Sequence, residues 1–264
     1  MDDAKTTSEG DEGEDFVLEP QAHPGGVRAA VVLVAAGRST RMAAGDGTLG
    51  GPRLRKPRLM VGGRPILELS CELFDRIDEV TELILVAHEE DVDTFRQWAA
   101  ERPALSKVRA IVPGGAERAD SVRSGVFWCG FDVDVIAVHD AARPLCHPDV
   151  VREALHTARE EGAALVAAPV HDTIKESDDG KAAARTLDRA RLWAAQTPQV
   201  FRAGKLRELV ARAEEEGFSP TDDAGLWERY EGPVPLVPSD RSNLKITTPV
   251  DLEIASAILR GREA

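Results

Sequence analysis

The first segment whose residue types suit chemistry is the turn Ala35-Ala36-Gly37-Arg38-Ser39-Thr40-Arg41-Met42, followed after an insertion by Lys56. Small residues let backbone N–H groups approach a polyphosphate, and Arg41 and Lys56 supply cations to neutralise it. The turn is not a dinucleotide G-x-G-x-x-G, because Ser39 takes the second glycine position. It is not a Walker A loop either, since no G-K-[ST] follows. A tight turn with surface arginines has the same composition, so taken alone the segment leaves both readings open.

The elements around this turn give it a place. Ala29–Ala35 is a continuous apolar run, the pattern of a strand buried on both faces of a parallel sheet. Pro65–Ile77 has Ile66, Leu69, Leu73 and Ile77 at helical spacing behind an initial proline. The alternation continues with strand Leu83–Ala87, helix Val92–Ala100, strand Val108–Val112, helix Ala119–Cys129, strand Val135–Val138, helix Pro148–Glu161 and strand Ala164–Ala168. This βαβα order predicts a three-layer α/β sandwich with a mostly parallel sheet. Ligands of such sheets bind beyond the carboxyl ends of the strands, so the turns after Ala35, Val112, Val138 and Ala168 converge on one crevice. Asp140 follows its strand at that edge. Read from its position alone, it is a helix-cap or salt-bridge aspartate partnered by Arg143.

The rhythm breaks over 170–192. His171–Glu176 and Ala184–Leu187 alternate like hairpin strands around the turn Ser177-Asp178-Asp179-Gly180. A hairpin leaving a compact body exposes two edges and is more stable paired with another subunit, so it is read as a dimerisation arm. Helices Lys205–Glu216, Asp222–Tyr230 and Pro249–Arg260 and a strand near Val234–Val237 complete the body. Trp128, Trp193 and Trp227 sit in apolar contexts and read as core or interface; Trp98, on a polar helix, reads as partly exposed.

Composition excludes several classes. Of 264 residues, 33 are Lys or Arg and 46 Asp or Glu, a net charge of -13, which disfavours nucleic-acid binding. Residues 1–26 alone hold eight acids and one lysine, and are read as a disordered acidic tail ahead of a domain over 27–264. The longest apolar run is too short for a bilayer, and the N-terminus has neither a signal nor a transit pattern. Cys71, Cys129 and Cys146 form no zinc spacing or disulfide framework and read as small buried hydrophobes in a cytoplasmic protein. The six histidines show no metal-ligand spacing.

Further segments carry a resemblance. The opening A-A-G-x-x-x-R-M with its lysine and Val61-Gly62-Gly63-Arg64-Pro65-Ile66-Leu67 resemble the start of sugar-phosphate nucleotidyltransferases. Gly114–Val122 (GGAERADSV), Val138–Pro144 (VHDAARP) and Ala168–Lys175 (APVHDTIK) resemble one branch, in order. So do Asp188-Arg189, Thr197-Pro198-Gln199, Thr221-Asp222-Asp223-Ala224 and Asn243–Thr247 (NLKIT). That branch is the 2-C-methyl-D-erythritol 4-phosphate cytidylyltransferase family of the non-mevalonate isoprenoid pathway, and the likeness covers roughly 28–260.

The resemblance implies a Rossmann-like nucleotidyltransferase fold, CTP as the nucleotide, Mg²⁺ as cofactor and a homodimer with shared sites. It assigns Arg41 and Lys56 to the transition state at the α-phosphate, Ala35, Ala36, Gly37 and Ala141 to the nucleotide, and Gly115, Ala116 and Ser121 to the cytosine pocket. Arg118 lies in the same loop and frames it, and Asp140 lies beside the triphosphate and Mg²⁺, directly or through water. Arg143 joins Asp140 among the substrate contacts. Thr173 and Arg189 reach across the dimer to the acceptor phosphate, Lys245 positions the acceptor, and Thr197 and Thr221 are weaker acceptor contacts. Read without the resemblance, Ser121 is a helix-capping hydroxyl and Arg189 an exposed arm residue paired with Asp188. The insertion Ala43–Arg55 departs from the pattern, and Arg55-Lys56-Pro57 leaves Arg55 as a rival to Lys56. Two alternatives to this function remain: a cytidylyltransferase for another polyol phosphate such as ribitol 5-phosphate, and a non-catalytic nucleotide-binding scaffold.

Overall fold

The computed structural model describes residues 26–37, 59–102 and 105–263. Arg41, Lys56, the insertion Ala43–Arg55 and the acidic segment before Gly26 lie outside the described residues.

The strands are β1 (Ala29–Val34), β2 (Met60–Val61), β3 (Arg64–Pro65), β4 (Val80–Ala87), β5 (Val108–Pro113), β6 (Val135–Asp140), β7 (Ala163–Pro169), β8 (Lys175–Glu176), β9 (Arg185–Thr186), β10 (Trp193–Arg202) and β11 (Leu236–Pro238). The helices are α1 (Ile66–Asp75), α2 (Val92–Ala100), α3 (Arg118–Trp128), α4 (Pro148–Glu161), α5 (Ala203–Glu215), α6 (Asp223–Tyr230) and α7 (Pro249–Glu263). Seven strands form the main sheet in the order β11-β7-β10-β6-β1-β4-β5. β10 runs antiparallel to both its neighbours, and every other pairing in that sheet is parallel.

The apolar run of β1 is explained by burial on both faces. Ala29, Val31 and Leu33 pack with α1, α2 and α4, whereas Ala30 and Val32 pack with α3, α5 and α6. Adjacent residues on a strand point to opposite faces, so a strand covered by two helical layers must be apolar throughout. The three-layer sandwich read from the sequence is therefore the observed one.

β10 departs from the pattern of a central strand. Its Gln196, Thr197, Pro198 and Gln199 argue against a central strand, because proline breaks a pairing ladder and buried amides need partners. The structure resolves the conflict with an irregularity: pairing to β7 shifts register between Ala195 and Gln199. The hairpin is also shorter than the sequence suggests, with β8 and β9 paired only over 175–176 and 185–186. It is an extension of the β7–β10 connection, since Pro169 and Trp193 pair at its base. Trp227 is buried in the core, but Trp128 and Trp193 are 57% and 40% exposed and are not core residues. The three thiols are free and buried, and no helix among the described residues is long and apolar enough to cross a membrane.

α3 lies unusually close to the sheet. A Cβ at Gly125 would meet Val32 Cγ1 at 2.3 Å and Val86 Cγ2 at 2.8 Å. Both neighbours are stiff β-branched side chains on the central strands, with no room to yield. Gly125→Ala should therefore lower stability by about 2 kcal/mol through overpacking, against the roughly 1 kcal/mol that alanine normally gains in a helix. Urea unfolding measures this, and an unchanged or raised midpoint contradicts the close approach.

Candidate active site

The carboxyl ends of β1, β5 and β6 meet as the parallel topology requires. Asp140 closes β6 in register with Val34 of β1, and the Ala141 N–H donates to the Val34 carbonyl at 3.0 Å. The Ala35 and Gly114 N–H groups continue the ladder to Val86 and Ala87 of β4. Ala35, Ala36, Gly37 and the loop 114–117 thus border one crevice with Asp140. Gly114 has to be glycine here: a Cβ would lie 2.5 Å from that of Ala36 and 2.7 Å from Ser121 Oγ.

Ser121 acts on that loop. Its buried hydroxyl accepts from the Gly115 N–H at 3.2 Å and donates to the Glu117 carbonyl at 3.1 Å. Glu117 and Asp120 form a capping box at the start of α3. The hydroxyl is engaged in shaping the turn, as a capping residue would be, and leaves Gly115 and Ala116 exposed at the crevice.

Asp140 is the centre of charge. Its side chain is almost wholly enclosed, with Lys245 Nζ 2.6 Å from Oδ2, Arg118 Nε 3.5 Å from Oδ1 and Arg143 Nε 4.0 Å from Oδ2. Burial would raise the carboxyl, but Lys245, Arg118 and Arg143 outweigh it and hold it down to about 2. The predicted Asp140–Arg143 pair is thus the longest of three, and Arg143 serves mainly to tie segments together. Its Nη1 donates to the Asn243 carbonyl at 2.7 Å. Ile246 N–H donates to the Ala142 carbonyl, and Arg262 of α7 reaches both the Leu145 carbonyl and Ser242 Oγ at 2.9 Å. These bonds place Lys245 although it is more than 100 residues from Asp140 in sequence.

Arg118, expected to frame the base, is instead paired bidentately with Asp223 at 3.1 and 2.7 Å. Thr197 is buried and accepts the Asp140 N–H at 3.1 Å, so it positions Asp140 and does not face the crevice. Thr173, Arg189 and Thr221 are exposed. Arg189 is held within the arm by its bond to the His171 carbonyl at 2.9 Å. Its neighbour Asp188 instead accepts the Ala190 N–H at 3.1 Å, and no ion pair joins it to Arg189 among the described residues, contrary to the simplest sequence reading. The arm residues are not brought to Asp140 by any hydrogen bond or ion pair among the described residues.

Sequence reasoning gave no role to Asp223, Asn243, Gln196 or Gln199. Asn243 donates to Gln196 Oε1 and the Thr197 carbonyl, and Gln199 binds both Asp222 and the Ala224 N–H. The signal was present: polar residues inside the apolar stretches of motifs that were themselves noticed.

His139 completes the support of Asp140. Nε2 faces the Arg143 carbonyl at 3.0 Å, which can only accept, so Nε2 carries the proton and Nδ1 accepts from the Thr197 hydroxyl at 3.2 Å. Burial lowers this imidazole from its ordinary 6.5 to about 4. Because the unfolded chain binds the proton more readily, this contribution is complete above pH 6.5 and is lost as pH falls toward 4. About 2 kcal/mol should disappear between pH 7.5 and 5. In urea titrations, His139→Gln should show that much less loss over the same interval; an equal loss in both proteins contradicts the assignment.

Comparison with known proteins identifies the family. The sequence profile of the family described as 2-C-methyl-D-erythritol 4-phosphate cytidylyltransferase, IspD, matches residues 29–261. A protein of that name from Caldanaerobacter subterraneus subsp. tengcongensis is 41% identical over 87% of this chain and 97% of its own length. One from Geobacter metallireducens is 42% identical over 83% and 95%. Among solved structures, 4-diphosphocytidyl-2C-methyl-D-erythritol synthase from Anaerococcus prevotii superposes with a TM-score of 0.73 at 27% identity, covering 89% of this chain and 96% of its own. The 2-C-methyl-D-erythritol 4-phosphate cytidylyltransferase of Thermus thermophilus gives 0.69 at 30%, covering 89% and 99%. With Asp140, Lys245 and the glycine loop gathered at the strand ends, the chain belongs to the 2-C-methyl-D-erythritol 4-phosphate cytidylyltransferase family.

Proposed function

We propose that this protein transfers CMP from CTP to 2-C-methyl-D-erythritol 4-phosphate, giving 4-diphosphocytidyl-2-C-methyl-D-erythritol and pyrophosphate. The observation that carries the reading is the delivery of Lys245 to Asp140, at the strand ends where a nucleotide binds in such sheets. An oxygen of the acceptor phosphate attacks the α-phosphorus, a new P–O bond forms, and the bond to the bridging β-oxygen breaks. Negative charge builds on the equatorial oxygens, where fixed cations act most strongly. Arg41 and Lys56 fill that role in this reading, Lys245 positions the acceptor, and the Ala35–Gly37 and Gly115–Ala116 backbones border the nucleotide.

Mg²⁺ fits the donor chemistry in one form. Asp140 offers one ionised carboxylate, and Oδ1 is the oxygen less tightly held, with Arg118 at 3.5 Å against Lys245 at 2.6 Å on Oδ2. No cluster of three or more His, Cys, Asp or Glu suited to a metal occurs among the described residues. Asp140 would therefore hold an ion that takes its remaining ligands from phosphate and water. Bound there, Mg²⁺ would neutralise charge on the triphosphate and the leaving pyrophosphate.

The exposed hairpin supports a homodimer in which Thr173 and Arg189 serve the partner's acceptor site. Residues on both β8 and β9 and in the turn between them are largely solvent-facing in the single chain, as a dimerisation arm requires.

Pyrophosphate release from CTP, measured with each polyol phosphate in turn, tests the acceptor. Turnover should be fast with methylerythritol phosphate and negligible with ribitol 5-phosphate, and the reverse preference overturns the reading. The shared site makes a second prediction. Arg189→Ala and Lys56→Ala should each lose about 100-fold in activity, yet an equal mixture that exchanges subunits should regain about a quarter of the wild-type rate, because half the dimers carry one intact site. No recovery in verified heterodimers excludes sharing.

A further inference from the structure

Arg118 opens α3 at the edge of the crevice, which is where an arginine meant for a triphosphate would stand. The position is otherwise unfavourable, because a helix N-terminus repels cations. All three guanidinium nitrogens nevertheless face protein carboxylates: Nη1 and Nη2 bind Asp223, and Nε faces Asp140. Planar two-point pairing of this kind fixes orientation as well as charge.

Asp223 is itself rigidly placed. It is the buried first residue of α6, behind the cap Asp222, whose Oδ1 accepts the Gly225 N–H at 2.9 Å. The turn hangs from β10 through Gln199, which accepts the Ala224 N–H at 2.7 Å and donates to Asp222 Oδ2 at 3.0 Å. Gln199 pairs in register with Val138 of β6, two residues before Asp140. One sheet therefore sets both carboxylates that Arg118 bridges.

We propose that Asp223 is a positioning residue that withholds Arg118 from the bound triphosphate and presents it to Asp140. This deepens the cytidylyltransferase reading and rests on it. Asp140 then has a cation at each oxygen, Lys245 close on Oδ2 and Arg118 more distant on Oδ1, so its plane is set before CTP arrives. Arg118, Arg143 and Lys245 stand against Asp140 and Asp223, and removing the charge of Asp223 leaves three cations around one carboxylate. Arg118 then turns to the triphosphate, strengthening ground-state binding while loosening Asp140. KM and kcat for CTP fall together, a pattern that mere loss of structure does not produce.

The test uses the full chain with Asp223→Asn, which keeps shape and removes charge, with Arg118→Gln, and with the two combined. CTP binding is measured by calorimetry without acceptor, beside steady-state kinetics and thermal unfolding. Asp223→Asn should bind CTP about five-fold more tightly and turn over about ten-fold more slowly. Arg118→Gln should change CTP affinity by no more than about two-fold, and in its background the tightening by Asp223→Asn should vanish. Unchanged or weaker CTP binding in Asp223→Asn overturns the proposal, as does tightening that survives Arg118→Gln. If Asp223→Asn does not fold, Arg118→Gln decides: affinity within about two-fold of wild type supports the proposal, and a loss beyond about ten-fold shows that Arg118 grips CTP and overturns it. Wild-type CTP binding without turnover of any polyol phosphate would refute the enzymatic reading, whereas normal turnover with unaltered CTP affinity in Asp223→Asn would refute this inference alone.

Discussion

A carboxylate buried at the end of β6 has to be ionised and held, and much of the surrounding structure serves that need. Burial alone would neutralise Asp140. It stays charged because Lys245, Arg118 and Arg143 reach it from three separate parts of the chain. An enclosed charge without such partners would be far costlier than the cations' own desolvation. Its partners are therefore fixed in turn: Arg118 by Asp223, Arg143 by the Asn243 carbonyl, and Lys245 by a segment pinned between Ala142 and Arg262.

The second line of support is neutral. The Asp140 N–H, the Thr197 hydroxyl, the His139 ring and the Arg143 carbonyl form a hydrogen-bonded chain with every donor direction set by the carbonyl at its end. Such a chain resists an extra proton, so the imidazole beside Asp140 is here a structural group. It also accounts for the polar residues of β10. Gln196, Thr197 and Gln199 are costly in a central strand unless satisfied, and each is satisfied by a group at the site.

The arm follows a different logic. It grows out of the connection between two antiparallel strands and exposes most of its residues, while the body beneath it is closely packed. Few of its side chains are buried against the body, so they are available for contacts outside their own chain.

Much of the architecture was legible in the sequence, because two-sided burial imposes a local signature. The apolar run of β1 and the helical spacing of α1 and α4 are dictated by what covers them. The ordered motifs also named Asp140, Lys245 and the Gly115 loop. Tertiary structure alone decided which groups face the crevice and which face each other. Ser121, Thr197 and Arg143 turned inward to support the site, and Arg118 was claimed by Asp223 from 105 residues away. The physical reason is that polar side chains carry no period that reveals their partners. Their energies depend on distance and burial in three dimensions, whereas apolar patterning is written along the chain.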